Sequence, residues 1–106
     1  MAEEGHRPRK KMMKVTVKSF ANIRDILGSA ELDLDIAAGT TIGGLFALLT
    51  QRYGAAFDRQ IRDQMSGEIV PFLVMINETV YRTTTDLAVS LAEGDAVTVM
   101  IPFDGG

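Results

Sequence analysis

The residues with the clearest chemical potential stand at the end of the sequence, in "IPFDGG", where Gly105 and Gly106 present bare backbone and a terminal carboxylate. A glycine pair has no side chain to bury and the loosest backbone of any residue, so it adds nothing to a core and frays in solvent. Taken alone, such a pair is more often a disordered end or a cloning remnant than a working group. Elsewhere the inventory is short. Cysteine is absent, which removes disulfides, thiolate metal sites, thiol nucleophiles and persulfides together. The single histidine, His6, sits beside Arg7, Pro8 and Arg9, where a solvated tail residue is expected, so neither a catalytic triad nor a histidine metal site can be assembled. "GTTIGG" at 39–44 has neither the lysine of a phosphate loop nor the spacing of a dinucleotide loop. No metal and no bound cofactor are expected.

The elements that must position that terminus are legible as changes of period. With 106 residues, 46% of them hydrophobic, the chain fits one compact domain around one core. A net charge of -3 lacks the basic face that nucleic-acid binding needs. The apolar runs are too short to cross a bilayer and "MAEEGHRPRKKMM" has no signal-like stretch, so a cytoplasmic protein is expected. The cluster Arg7, Arg9, Lys10 and Lys11 could meet an acidic surface, but a disordered, solvated leader over 1–12 is the simpler expectation. From Met13, "MKVTVKSF" alternates Met13, Val15 and Val17 against Lys14, Thr16 and Lys18, the period of a half-buried strand. "ANIRDILG" is a short polar connection with one apolar side, for which a hairpin is the simplest join. "AELDLDI" then alternates again, with Leu32, Leu34 and Ile36 inward.

In "AAGTTIGGLFALLTQRYG", Ile42, Leu45, Phe46, Leu49 and Tyr53 recur at steps of three and four behind the capping candidates Thr40 and Thr41, and Gly54 marks the stop of this main helix. Gly43 and Gly44 each cost about 1 kcal/mol relative to alanine in a helix, so a close approach to the sheet is expected there. Phe57, Ile61 and Met65, four apart, suit a second short helix. "IVPFLVMI" is a nearly continuous apolar run, as in a doubly covered strand beginning at Pro71. "NE" turns it into "TVYR". A loop with at most one helical turn follows, and "AVTVMI" is the last strand, with Val97, Val99 and Ile101 on one face. The fold class is α+β: a mixed sheet of about five strands with one main helix and a short second helix, the last strand parallel to the first.

Element order and three stretches of sequence together resemble the ubiquitin-like β-grasp, and within it the sulfur-carrier family that includes the small subunit of molybdopterin synthase and the thiamine sulfur carrier. The stretches are "VKSFANIRDILG", "MINETVY" and "LAEGDAVTVMIPFDGG". The length and "YGAAFDRQIRDQMSGE" suit the molybdopterin type better than the shorter thiamine type.

The resemblance implies a β-grasp domain over 13–102 and a flexible tail over 103–106. It implies that an E1-like adenylating enzyme uses ATP to activate the Gly106 carboxylate, which is ionised at neutral pH, and that sulfur then displaces AMP. The resulting thiocarboxylate donates sulfur to a pterin precursor on the large subunit of molybdopterin synthase, toward a molybdenum or tungsten cofactor. The chain itself is then a non-catalytic carrier subunit. Gly105, Asp104, Phe103 and Pro102 would enter the partner's channel, where the missing Cβ atoms of the glycines help. Phe20, Val74 or Met75, and Met100 fall where the family places partner contacts; for any one apolar residue a core role is the commoner alternative. The tail departs from the usual pattern: Ile101 precedes a single proline, and Asp104 adds a negative charge beside the terminal carboxylate. Three further readings stay open: a thiamine-type carrier, a ubiquitin-like modifier conjugated through Gly106, and a non-catalytic β-grasp binding domain.

Overall fold

A computed structural model describes residues 11–100, the side chains of Ala21 and Asn22 excepted. Residues 1–10 of the expected leader, residues 101 and 102 at the expected end of the domain, and the whole expected tail lie outside the described residues, so Pro102, Phe103, Asp104, Gly105 and Gly106 do too. Chain order is β1 (Met12–Lys18), α1 (Ala21–Leu27), β2 (Glu31–Ala37), α2 (Ile42–Tyr53), α3 (Ala55–Ile61), β3 (Leu73–Ile76), β4 (Thr79–Arg82) and β5 (Ala96–Met100). The strands form one five-stranded sheet in the order β2-β1-β5-β3-β4. β5 runs parallel to β1 and antiparallel to β3, as the α+β reading requires.

The helices cover one face of this sheet. Val15, Val17, Leu34, Ile36, Val74, Ile76, Val97 and Val99 point toward them and are buried with Leu45, Phe46, Leu49, Phe57 and Ile61. Phe46 and Phe72 meet with ring centroids 5.5 Å apart. Each such side chain contributes about 1.5–3 kcal/mol on burial. The period-two pattern of β1 and β2 thus becomes seven antiparallel pairs, from Met12 opposite Ala37 to Lys18 opposite Glu31. β1 starts at Met12, one residue ahead of the expected boundary.

Four local expectations are corrected. The join between β1 and β2 is a seven-residue helix, α1, instead of a hairpin; Ile23, Ile26 and Leu27 face the core region and Gly28, at φ 85°, ends it in the left-handed conformation. α3 stops at Ile61 and leaves Met65 94% exposed, because Arg62 turns extended and pairs with Ile69 while its guanidinium binds Asp58 and the Gly67 carbonyl. β3 is covered on one side only: Phe72, Val74 and Ile76 are buried, whereas Leu73 is exposed and Met75 half-buried. Gly43 approaches a loop, where a Cβ would lie 3.3 Å from the Leu87 carbonyl oxygen, and not the sheet.

The start of α2 explains why its glycines bind no phosphate. The Ile42 and Gly43 N–H groups donate to the Val89 and Leu87 carbonyls, and the Gly44 N–H donates to Thr41 Oγ1 at 3.0 Å. The donors that an anion would use are already spent.

Candidate functional site

The site is built at the end of β5, whose last residue, Met100, is the last described residue ahead of Gly106 in the sequence. Its position is set at the opposite end of the strand. Asn77 adopts φ 57° in the β3–β4 turn, which asparagine tolerates better than most residues. Its Nδ2 donates to Asp95 Oδ1 at 2.9 Å, its Oδ1 accepts from the Ala96 N–H at 3.0 Å, and its own N–H donates to the Ala96 carbonyl at 2.8 Å. Asp95 Oδ2 also accepts from the Ala92 N–H, while Glu93 accepts from the Lys14 N–H. Two of the stretches singled out in sequence, "MINETVY" and "LAEGDAVTV", therefore clasp each other and hold β5 in register between β1 and β3.

From that register the open face follows. Met100 lies opposite Leu73, and Thr98 opposite Met75, which in turn faces Val80 on β4. The parallel pairing of Lys18 with Thr98, carried two residues onward on each strand, brings Phe20 level with Met100. Phe20 follows β1 as the extended N-cap residue of α1; it is 63% exposed, Leu73 38% and Val80 49%. Phe20, Met100, Leu73, Met75 and Val80 thus form an apolar patch around the end of β5. Single exposed apolar residues need no explanation, but a contiguous group marks an interaction surface.

Val74 does not belong to that patch. It is 0% exposed and points to the helices, because neighbouring strand residues face opposite sides. Met75, Met100 and Phe20 lie on the open side. Leu73 and Val80 were not singled out in sequence; the alternation of Leu73 and Met75 was the available signal, masked by the apolar residues between them.

The other half of the same face is charged. Lys14 lies opposite Asp35, Thr16 opposite Asp33 and Lys18 opposite Glu31, and Thr16 Oγ1 donates to Asp33 Oδ1 at 2.8 Å. Among the described residues there is no cluster of His, Asp and Glu fit to hold a metal ion, and no helix is long and apolar enough to cross a membrane.

A protein-family model described as the ThiS family matches residues 17–106, from β1 through the terminal glycines. The chain belongs to the ThiS family. It is 28% identical over 95 residues to small archaeal modifier protein 3 of Haloferax volcanii, covering 89% of this chain and all of that relative. A solution structure of a Haloferax volcanii protein superposes with a TM-score of 0.74 at 26% identity, over 93% of this chain and 92% of that one. A Pyrococcus furiosus chain described as molybdopterin converting factor subunit 1 gives a TM-score of 0.65 at 21% identity, over 86% and 99% respectively. The fold is the ubiquitin-like β-grasp, which serves sulfur carriers and small protein modifiers alike.

Proposed function

We propose that this chain is a cytoplasmic sulfur carrier whose reactive group is the Gly106 carboxylate. An E1-like enzyme holds ATP, the carboxylate attacks its α-phosphorus, and pyrophosphate leaves. A sulfur donor then displaces AMP from the acyl adenylate, leaving a C-terminal thiocarboxylate. The side chains of this protein take no part in those bond changes, so a chain without cysteine can carry sulfur. The observation that carries the reading is the family match running through Gly105 and Gly106. The large subunit of molybdopterin synthase is the proposed acceptor partner, docking on the apolar patch around Met100 while the tail reaches a pterin precursor. In that role the product feeds a molybdenum or tungsten cofactor.

The test is intact mass after incubation with an adenylating enzyme, ATP and a sulfur donor. An oxygen-to-sulfur change confined to the C-terminus supports the carrier. Deletion of Gly106 should abolish it while the melting temperature stays where it was, since a terminal glycine has no side chain to bury. Full activation of the shortened chain would sink the reading.

One observation favours a second reading. The relative matched along its whole length is named a modifier protein. A modifier would use the same activated Gly106 and finish as an amide on a lysine of another protein. Isolated conjugates, absent for a pure carrier, separate the two.

A further inference from the structure

β2 is an edge of the sheet, and the middle of that edge is open. Because β1 and β2 pair antiparallel, alternate β2 residues turn their N–H and C=O toward β1 and the others turn them outward. The Thr16 N–H donates to the Asp95 carbonyl and the Lys14 N–H to Glu93 Oε1, both away from β2. Their partners in register, Asp33 and Asp35, are therefore outward residues, and by the same alternation so are Glu31 and Ala37. The two ends of this row are closed locally. Ser29 Oγ accepts from the Glu31 N–H and donates to the Glu31 carbonyl, while the Ala37 carbonyl accepts from the Thr40 N–H and the Thr40 hydroxyl. Among the described residues, nothing bonds the outward N–H and C=O groups of Asp33 and Asp35.

The side chains beside that opening restrict what can fill it. Glu31, Asp33 and Asp35 all stand exposed on the open face, and the β1 residues opposite them are Lys18, Thr16 and Lys14. Three carboxylates thus face two lysines, with Thr16 giving Asp33 a hydroxyl and no charge. On the helix side the same edge is apolar, with Leu34 and Ile36 buried and Leu32 half-buried. An antiparallel strand laid against β2 would set alternate residues opposite Asp33 and Asp35, at about 5.5 Å between Cα atoms. The residues between them would lie beside Leu32 and Leu34. Basic residues at the first positions and apolar ones at the second match both faces. A second copy of this chain does not, because β2 against β2 brings carboxylates together, and like charges across a strand pair are unfavourable.

We propose that the edge of β2 at Asp33 and Asp35 docks an extended basic segment of another protein, with lysine or arginine at alternate positions and apolar residues between, as a sixth strand of the sheet. The main chain of that segment takes the outward donors and acceptors of Asp33 and Asp35, and the carboxylates select its charge. The same carboxylates turn away a second copy. β1 and β5 separate this edge from Leu73, Met75 and Val80, so the contact rests neither on the Gly106 chemistry nor on docking at the apolar patch.

Amide hydrogen exchange read by nuclear magnetic resonance on the full chain tests it, with the capped peptide Lys-Val-Lys-Val-Lys-Val-Lys as the probe. In the free chain the Asp33 and Asp35 amides should exchange as exposed groups. With the peptide at about ten times its dissociation constant, their exchange should slow about tenfold. Asp33→Lys combined with Asp35→Lys should weaken the peptide about tenfold or more, and high salt should weaken it on the unmodified chain. Methylating the lysine main-chain nitrogens of the peptide should remove the protection, because the Asp33 and Asp35 carbonyls then lose their donors. Three results overturn the proposal. One is protection of the Asp33 and Asp35 amides in the free chain, the mark of a second copy or another segment of this chain on the edge. Another is equal binding of the peptide with glutamate in place of lysine. The third is equal binding of the methylated peptide, the mark of charge attraction without strand addition. None of these readouts uses activation, so failure here leaves the Gly106 chemistry standing, and failure of thiocarboxylate formation leaves the edge contact standing.

Discussion

Val74 and Met75 are neighbours in the chain and occupy different worlds. Val74 sits among Val99, Phe46 and the rest of the helix-covered core, with no exposure, while Met75 lies half-buried on the open face between Thr98 and Val80. The same chemistry, an apolar side chain on a central strand, stabilises the domain on one side and stays available to a partner on the other. Strand geometry alone makes the difference, since successive residues face opposite ways. An apolar run in such a sheet therefore carries two messages, stability and recognition, interleaved one residue apart.

The sharpest break of that comparison is a matched pair of substitutions. Val74→Asp should cost more than about 3 kcal/mol, because an unpaired carboxylate would be buried without a donor. Met75→Asp should change stability by no more than about 1 kcal/mol. Urea titration of both variants checks this, and equal losses would mean that the open face is covered too. Next in size, Thr83→Val should cost about 1–3 kcal/mol, since it strands the buried Phe72 N–H; a midpoint unchanged in urea would show that water replaces the hydroxyl.

On the open side, Phe20→Asp and Met100→Arg should weaken binding to the proposed partner, the large subunit of molybdopterin synthase, about tenfold or more with little change in melting temperature. Titration calorimetry beside a thermal melt reads both quantities. Unfolding of both variants would return these residues to the core.

The smallest effect concerns Asp104. A carboxylate entering a channel needs a cation or donor to offset its desolvation, so the cognate partner is expected to set an Arg or Lys against it. Asp104→Ala should lower cognate activation by a few-fold, about 0.5–1 kcal/mol, with the loss shrinking at high salt. It should also raise activity with a partner suited to a neutral tail. Equal rates for both chains with both partners would reduce Asp104 to a tolerated surface residue.

What could be read in advance follows from the same geometry. β1, β2 and β5 are legible because one covered face makes their sequences alternate, as in Val15 against Thr16 or Val97 against Thr98. β3 is misleading because Leu73 and Met75, on the open face, are as apolar as Val74 and Ile76 on the closed one. α1 hides because seven residues are too few to establish a helical period against the turn-like polarity of Asn22, Arg24 and Asp25. Met65 continues the spacing of Phe57 and Ile61, yet the backbone has already turned at Arg62; only the pairing of Arg62 with Ile69 reveals it. The glycine terminus is visible in the sequence. That Leu73 and Val80 join Met100 is not, since it depends on two separate strand registers.

The clasp between Asn77 and Asp95 has a mechanical side. β5 lies in the interior of the sheet, parallel to β1 and antiparallel to β3, and is anchored at its start by that clasp. A pull on the chain beyond Met100, along the strand axis, loads the ladders on both sides in shear, many bonds together. An edge strand such as β4, pulled sideways, peels one bond at a time. The domain is therefore built to resist a pull on its C-terminus, a property that the proposed carrier would use whenever a partner engages Gly106.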